Sequence, residues 1–240
     1  MKKTVLNKIE LTIKFGIERF IHCINLDPTS NLFGVADREF WAWKTKDFAN
    51  GTLQAGISGL LDGKHLIDLN NNQIKNLIKA IIIGTKNIQR KNGSFEESFP
   101  YESSYCVTGL VLYNILYSYF NYKPFFEKIP IDYLNQIVSK SFLFLSRNIE
   151  THGVISNHLV TVMLAKLLAA KYLNIKLPIN EKADVFKLLD KNEGWFPEYD
   201  GADPGYQTLL NHYLITSRTI IKDKDIKNVY LKSVNFTKNF

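Results

Sequence analysis

Cysteine is scarce in this chain, and its two cysteines show no spacing typical of a metal site. Cys23 and Cys106 both fall in apolar stretches with helical spacing. Free cysteine is among the most frequently buried residue types, so we expect two buried thiols. The sequence predicts no zinc site, no other metal site and no cofactor.

The sequence also lacks a long uncharged apolar run. Near its start, Lys8, Glu10 and Lys14 interrupt the stretch in which the core of a signal peptide would stand. No other stretch approaches the roughly 20 apolar residues that a membrane-spanning helix needs. We therefore predict no membrane span and a cytoplasmic location.

Arginine-rich runs and nucleic-acid motifs are absent as well, although the formal net charge is +7. The excess comes mainly from lysines scattered at the spacing of helix surfaces. Such a pattern is typical of a solvated face, and it also fits attraction for an acidic ligand such as a uronate-containing polysaccharide. A nucleic-acid partner is not predicted.

Composition favours one globular domain over residues 1–240. Hydrophobic residues make up 45% of the chain and charged residues 22%, and 240 residues can bury a large core without metals or disulfides. Apolar residues recur at helical spacing, and each such segment is closed by Gly, Pro or an Asn/Asp cluster. The pattern predicts an all-α fold with helices at 4–25, 46–61, 71–90, 102–121, 131–149, 156–173, 179–191, 204–221 and 225–240.

Several of the predicted loops combine glycine or turn residues with aromatic and acidic side chains. They are 41–44, 93–102, 152–158 and 194–201. They recur at intervals of about forty to sixty residues, the period of a helical-hairpin repeat. We predict an incomplete (α/α) toroid of stacked antiparallel helical hairpins, because a closed ring would need about twelve helices. Loops on one side of such an array share a face, so we expect Trp41, Tyr101, Asn157 and Tyr206 to line one groove.

The densest signal lies in residues 193–207, where turn residues, aromatics and carboxylates alternate. Asp203 precedes Pro204, which predicts an N-cap followed by the first helical residue. Tyr206 would then lie in the first turn, with a hydroxyl able to transfer a proton. Packing of this ring beneath the loop is an equally good interpretation.

Residues 156–158 open another predicted helix. Either Ser156 or Asn157 is a suitable cap for it. His158 in the first turn would lie near the positive end of the helix dipole, which favours a neutral imidazole that acts as a base. A purely structural histidine is the alternative.

Aromatic and acidic side chains in these loops suit carbohydrate binding, because rings stack on sugar faces while carboxylates bind hydroxyl groups. Glu97 and Tyr101 stand in one loop, and Trp195, Tyr199 and Asp200 stand in another. Glu97 and Asp200 are also candidates for the acid and base of an inverting glycosidase.

The segment near the first predicted hairpin adds Arg38 and two further aromatic platforms, Trp41 and Trp43. The guanidinium of Arg38 suits bidentate pairing with a substrate carboxylate. Pairing with the neighbouring Asp37 or Glu39 is the structural alternative.

Residues 34–48, 156–158 and 193–207 together resemble the N-terminal toroid half of heparinase II/III-like proteins, some of which are found with bacterial surface-polysaccharide genes. The resemblance implies β-elimination on a uronate-containing polysaccharide. In such lyases an Asn or Arg neutralises the substrate carboxylate, a Tyr or His removes the C5 proton, and a Tyr often protonates the leaving oxygen. Asn157, His158 and Tyr206 match these residue types.

Full members of that family continue into a β-sandwich domain, so we expect a chain truncated before such a domain, or a β-rich partner that supplies it. Truncation predicts self-association through half-covered apolar residues of the last helix, namely Val229, Leu231, Val234 and Phe236.

Three functions stay open on the sequence. The first is a polysaccharide lyase-like domain that acts on an acidic polysaccharide or oligosaccharide. The second is an inverting glycoside hydrolase on the same architecture. The third is a non-catalytic domain that binds glycan or another protein through its aromatic loops.

Overall fold

The computed structural model describes residues 2–36, 51–176, 181–199 and 201–239, and for residues 2–4 only the backbone. In these ranges it contains nine α-helices and a two-stranded antiparallel ladder, which confirms the all-α prediction. The helices are α1 (Lys2–Cys23), α2 (Ile57–Asp62), α3 (Asn71–Ile88), α4 (Tyr105–Asn121), α5 (Ile131–Arg147), α6 (Ser156–Leu173), α7 (Glu181–Phe186), α8 (Pro204–Ser217) and α9 (Lys224–Thr237). The ladder pairs β1 (Pro197–Glu198) with β2 (Gly201–Ala202).

Most predicted helices agree with the observed ones to within a few residues, and two are shorter. In place of the helix expected over 46–61, the described part has a 3-10 turn, Gly51–Gly56, followed by α2. The helix expected over 179–191 is reduced to the short α7. None of the helices within the described ranges is long and apolar enough to cross a membrane.

The helices form two rows. In the inner row α2 packs against α4, α4 against α6, and α6 against α8. In the outer row α3 packs against α5, while α7 flanks α6 and α9 flanks α8. The sequence explains the division, because 12 of 17 residues of α4 and 12 of 18 of α6 are buried, against 6 of 17 in α5. A helix that is apolar on most sides belongs in the interior, whereas an amphipathic one covers it.

A glycine with positive φ precedes each of three inner elements: the 3-10 turn Gly51–Gly56, α4 and α8. At each of these glycines the loop lies against an outer helix. These glycines are Gly34 (φ 80°), Gly93 (φ 96°) and Gly194 (φ 84°). A Cβ atom would lie 1.7 Å from the Ala80 carbonyl oxygen at the first, 2.2 Å from that of Lys140 at the second and 2.6 Å from that of Lys232 at the third. Only glycine fits this conformation and this approach.

Two residues after each of these glycines, a backbone amide donates a hydrogen bond to a side chain of the following inner element. The pairs are Ala36 N to Gln54 Oε1 (2.7 Å), Phe95 N to Thr108 Oγ1 (3.1 Å) and Phe196 N to Gln207 Oε1 (2.9 Å). The same local arrangement thus occurs three times within the described residues.

Both cysteines are free thiols, as predicted. Cys106 is buried and Cys23 is half-buried. Burial raises the pKa of the Cys106 thiol far above its usual value, so this group is a packing residue rather than a nucleophile.

The expected apolar surface of the last helix is mostly covered. Val229 and Phe236 are buried, at 9% exposure each, because α9 packs on α8, and Val234 is partly covered. Leu231 is 48% exposed. The larger run of exposed apolar residues lies instead on α1, where Val5, Leu6, Ile9, Leu11, Ile13 and Phe15 are each 45% to 60% exposed.

Replacing Gln54 by leucine should lower the free energy of unfolding by about 3 kcal/mol, because the buried Ala36 amide would lose its acceptor. Gln54 is fully buried, and its Nε2 also donates to Thr85 Oγ1 at 2.8 Å. Gln73→Leu is the matched control, since its Oε1 accepts from the exposed Asn70 amide, and it should cost less than about 1 kcal/mol. Urea unfolding measures both, and equal losses would contradict the proposed role of the buried amide.

Candidate functional site

Three loops meet at the N-terminal ends of α4, α6 and α8. We call them loop A (93–104), loop B (148–155) and loop C (193–203). Ile155 of loop B forms an antiparallel bridge with Glu198 of loop C, and the Tyr199 amide donates to the Val154 carbonyl at 2.8 Å. Loop A lies close enough to loop B for the carboxylates of Glu97 and Glu102 to raise the pKa of His152. The structure therefore brings Tyr101, Asn157 and Tyr206 to one end of the inner helices, while Arg38, Trp41 and Trp43 lie outside the described residues.

Glu198 of loop C caps α6. Its Oε1 accepts from the Asn157 amide at 2.7 Å and its Oε2 from Asn157 Nδ2 at 2.8 Å. Ser156 donates its hydroxyl to the Pro197 carbonyl at 2.5 Å, and neither Ser156 nor Asn157 caps the helix with its own side chain. The sequence-based expectation of a local cap is thus wrong, because a carboxylate from a loop 41 residues away occupies the positive end of the helix.

The side chain of Asn157 is turned toward Glu198 rather than toward solvent. The residue is 4% exposed, and Glu198 is 7% exposed. Burial raises the pKa of Glu198, while its bonds to Asn157 act in the opposite direction. Asn157 Nδ2 is thus engaged by Glu198 and lies in a buried side chain, so it is poorly placed to meet a substrate carboxylate.

The carboxylate of Glu150 binds two histidines. This arrangement was not predicted from the sequence. The side chain of Glu150 is 3% exposed. Oε2 lies 2.7 Å from His158 Nδ1, and Oε1 lies 2.8 Å from His152 Nδ1. Because a carboxylate only accepts hydrogen bonds, both Nδ1 atoms carry a proton. In a neutral imidazole this arrangement leaves Nε2 as the acceptor. The only sequence signal for this arrangement is the cluster of one glutamate and two histidines within 150–158.

The Glu150 carboxylate and the His152 imidazolium stabilise each other's charged form. Burial opposes ionisation of Glu150, yet the hydrogen bonds from His152 and His158 outweigh it and lower the pKa of the carboxyl group. The hydrogen bond to Glu150 raises the pKa of His152, and the charges of Glu97 and Glu102 raise it further. His152 is 66% exposed and His158 20% exposed, so both rings reach the surface.

The carboxylates of loop A are bound within the loop. Glu102 Oε2 accepts the amides of residues 97, 98 and 99 at 3.1, 2.7 and 3.1 Å. These bonds outweigh the effect of burial and lower the pKa of Glu102. Glu97 Oε2 accepts the Ser104 hydroxyl at 2.6 Å, and Glu96 Oε1 accepts from Arg90 Nη1 and from the Tyr101 amide, each at 2.7 Å. Glu97, predicted to contact substrate, therefore shapes its loop in this structure.

Three tyrosines at this end of the inner helices are exposed. Tyr101 is 75% exposed, Tyr199 61% and Tyr206 47%. The φ angles of Tyr101 and Tyr199 are 69° and 60°, a left-handed conformation that costs a residue other than glycine about 1 to 3 kcal/mol. Two tyrosines are thus held in strained backbone with their rings in solvent, which points to a binding role.

The remaining predictions for loop C have mixed outcomes. The predicted N-cap is confirmed, since Asp203 Oδ1 accepts the Tyr206 amide at 2.8 Å and Pro204 opens α8. Trp195 is half-buried, and its Nε1 donates to Glu193 at 3.0 Å. Asp200 lies outside the described residues.

Comparison with protein-family models, with curated proteins and with solved structures found no match for this chain. Within the described ranges, no group of three or more His, Cys, Asp or Glu side chains is arranged to hold a metal ion.

Glu150→Gln should lower the pKa of His152 toward the value of about 6.5 of an unperturbed imidazole, because the negative charge beside Nδ1 disappears. The raised pKa also means that protonation of His152 stabilises the native protein fully below about pH 6.5, and that this contribution is lost as pH rises through the raised pKa. NMR titration of the imidazole signals measures the shift.

Glu127→Gln is the control for this titration, since that exposed carboxylate pairs with Lys75 on the surface. It should leave the pKa of His152 unchanged. An unaltered His152 titration in Glu150→Gln would show that the pairing with Glu150 does not govern this imidazole.

Proposed function

We propose that this protein is a polysaccharide lyase-like domain that binds a uronate-containing polysaccharide and cleaves it by β-elimination. One observation carries the proposal: the buried carboxylate of Glu150 binds Nδ1 of His158 at 2.7 Å and leaves Nε2 as a proton acceptor. A carboxylate that orients a histidine is a recurring way to prepare a general base. The resemblance to heparinase II/III-like proteins supports this proposal. On the same basis we propose that the helices form an incomplete (α/α) toroid.

In the proposed reaction, His158 Nε2 takes the C5 proton of the uronate ring. The electrons of the C5–H bond form a C4=C5 double bond, and the C4–O bond to the neighbouring sugar breaks. Tyr206, in the first turn of the adjoining helix α8, gives its hydroxyl proton to the leaving oxygen. The products are a shortened chain and a chain with an unsaturated terminal sugar.

Removal of the C5 proton requires that the uronate carboxylate be neutralised. We assign this role to the exposed imidazolium of His152, whose pKa Glu150 raises. Arg38, outside the described residues, remains a proposed second cation. Asn157 becomes a positioning residue, because its amide groups hold Glu198 at the start of α6.

Sugar rings would stack on the exposed tyrosines at 101 and 199 and on Trp195. The strained backbone of the two tyrosines supports this assignment, since such conformations cluster at binding sites. The positions of Trp41, Trp43 and Asp200 in the same groove stay predictions.

The described residues of the three loops favour elimination over inverting hydrolysis, while Asp200, the second carboxylate of the hydrolase alternative, lies outside them. Hydrolysis by inversion needs two available carboxyl groups with space for a water between them. Glu97 is engaged by the Ser104 hydroxyl, Glu198 by Asn157, and Glu150 by two histidines. The histidine Nε2 atoms and the exposed tyrosine rings are better placed to meet a ligand than these carboxylates are.

His158→Ala and Tyr206→Phe should each reduce the rate of elimination about 100-fold or more, because each removes a proton-transfer group, while polymer binding changes far less. Trp195→Ala should weaken binding and leave the chemical step largely intact. The assay follows the ultraviolet absorbance of the unsaturated product over a panel of uronate polysaccharides.

His65→Ala and Tyr133→Phe are matched controls, because both residues lie outside the three loops. They should retain full activity. Saturated products only, absence of cleavage of every polymer in the panel, or full activity of the His158 and Tyr206 variants would refute the elimination mechanism.

A further inference from the structure

Loop B is fixed in a different way from the other loops that precede inner elements. At Gly34, Gly93 and Gly194, a Cβ atom would lie 1.7 to 2.6 Å from a backbone carbonyl oxygen of an outer helix. Gly153 of loop B also has a positive φ, 136°, but a Cβ atom there would meet only Cδ1 of Tyr199, at 3.8 Å. Within the described residues, the glycine of loop B thus contacts loop C instead of an outer helix.

Loop C also supplies the hydrogen bonds that hold loop B and the first residues of α6. Four such bonds join residues 154–157 to residues 197–199, and two of the four go to the carboxylate of Glu198. They are Tyr199 N to the Val154 carbonyl (2.8 Å), Ser156 Oγ to the Pro197 carbonyl (2.5 Å), and the backbone and side-chain amides of Asn157 to Glu198 (2.7 and 2.8 Å).

Loop C itself is fixed on two helices. Gly194 lies against the Lys232 carbonyl of α9, and the Phe196 amide donates to Gln207 Oε1 of α8 at 2.9 Å. Asp203 at the end of the loop caps α8. Loop C is therefore the support, and loop B depends on it for its position.

We infer that Glu198 is a positioning residue for the proposed reaction, because its carboxylate fixes loop B, and with it His152 and His158, against loop C. The inference rests on the function proposed above for these two histidines. Glu198 is 7% exposed, and Asn157 engages both of its oxygens, so the carboxylate faces the protein rather than a ligand. It acts on the reaction through the residues it holds.

The two histidines are attached to the two parts that Glu198 and its neighbour hold together. His158 follows Asn157 directly in the first turn of α6, and the bond from Tyr199 to the Val154 carbonyl fixes the chain two residues after His152. Both rings bind the single carboxylate of Glu150. A shift of loop B relative to the start of α6 would therefore separate one of the rings from that carboxylate and misalign the proposed base.

The imidazole of His152 reports whether this arrangement is kept. The hydrogen bond to Glu150 raises the pKa of His152. If loop B lost its fixed position, the pair would separate, and the pKa of His152 would fall toward the value of about 6.5 of an unperturbed imidazole. Loss of a helix cap alone would lower stability and leave this pKa unchanged.

The test compares Glu198→Ala with Asn70→Ala, a control that removes the side-chain cap of the outer helix α3. Both variants should lower the midpoint of thermal unfolding. Glu198→Ala should also reduce kcat for elimination about 30-fold or more, change KM less than about threefold, and lower the pKa of His152 in an NMR titration. Unchanged kcat and unchanged His152 pKa in Glu198→Ala, or equal losses in Asn70→Ala, would overturn the inference.

Glu198→Gln is the conservative variant, and it serves if Glu198→Ala does not fold. Its side chain keeps an acceptor for the Asn157 backbone amide, and Asn157 can turn its own amide group so that Oδ1 meets the new Nε2. It should retain kcat within about threefold and keep the His152 pKa raised. A loss as large as that of Glu198→Ala would contradict positioning by these hydrogen bonds.

Failure of the inference and failure of the proposed function have different signatures. If the unaltered protein cleaves no polymer, the elimination mechanism is refuted. The His152 titration of the Glu198 variants then still decides whether Glu198 fixes loop B. If the unaltered protein cleaves and the Glu198 variants cleave equally well, the mechanism stands and the positioning role is wrong.

Discussion

The backbone amides at the N-terminal ends of α4, α6 and α8 need hydrogen-bond acceptors, and this requirement organises the loops around them. Each helix begins with backbone amides that have no partner inside the helix and with a partial positive charge. Three such ends meet in this protein, and each receives an acceptor from a loop. Ser104 Oγ accepts the Val107 amide at α4, Glu198 accepts the Asn157 amide at α6, and Asp203 accepts the Tyr206 amide at α8.

The need for acceptors explains why the loops are rich in carboxylates. It also explains why we do not propose those carboxylates as the main contacts with a ligand. Glu102 and Glu198 satisfy backbone amides, and Glu150 combines that task with the orientation of two histidines. Hydrogen bonds to these carboxylates thus fix the loops at the helix ends, and the bond to Glu150 orients His158 near the surface. Aromatic rings such as Tyr199 are left facing outward and define the proposed groove.

The sequence predicts those features that depend on neighbouring residues and misses those that depend on contacts between distant loops. Helix positions follow from apolar spacing, and the cap at Asp203 follows from the adjacent Pro204. The cap of α6 was misassigned, because Glu198 is 41 residues from Asn157 and no local pattern connects them. Glu150 was missed for a similar reason, since its role becomes visible only when His158 folds back onto it. The uncovered apolar surface was expected on α9, but packing against α8 covers most of the apolar residues named there, whereas several apolar residues of α1 are exposed.

We propose that the three loops at the N-terminal ends of α4, α6 and α8 form one glycan-binding surface. Titration of isotopically labelled protein with uronate oligosaccharides, followed by amide chemical shifts, tests it most directly. We predict that the shifts concentrate at Tyr101, at residues 152–158, and at Tyr199 and Tyr206, while the outer helices stay unchanged. Shifts confined to α1 or to the outer row, or no shifts with any oligosaccharide of the series, would contradict a glycan-binding surface on these loops.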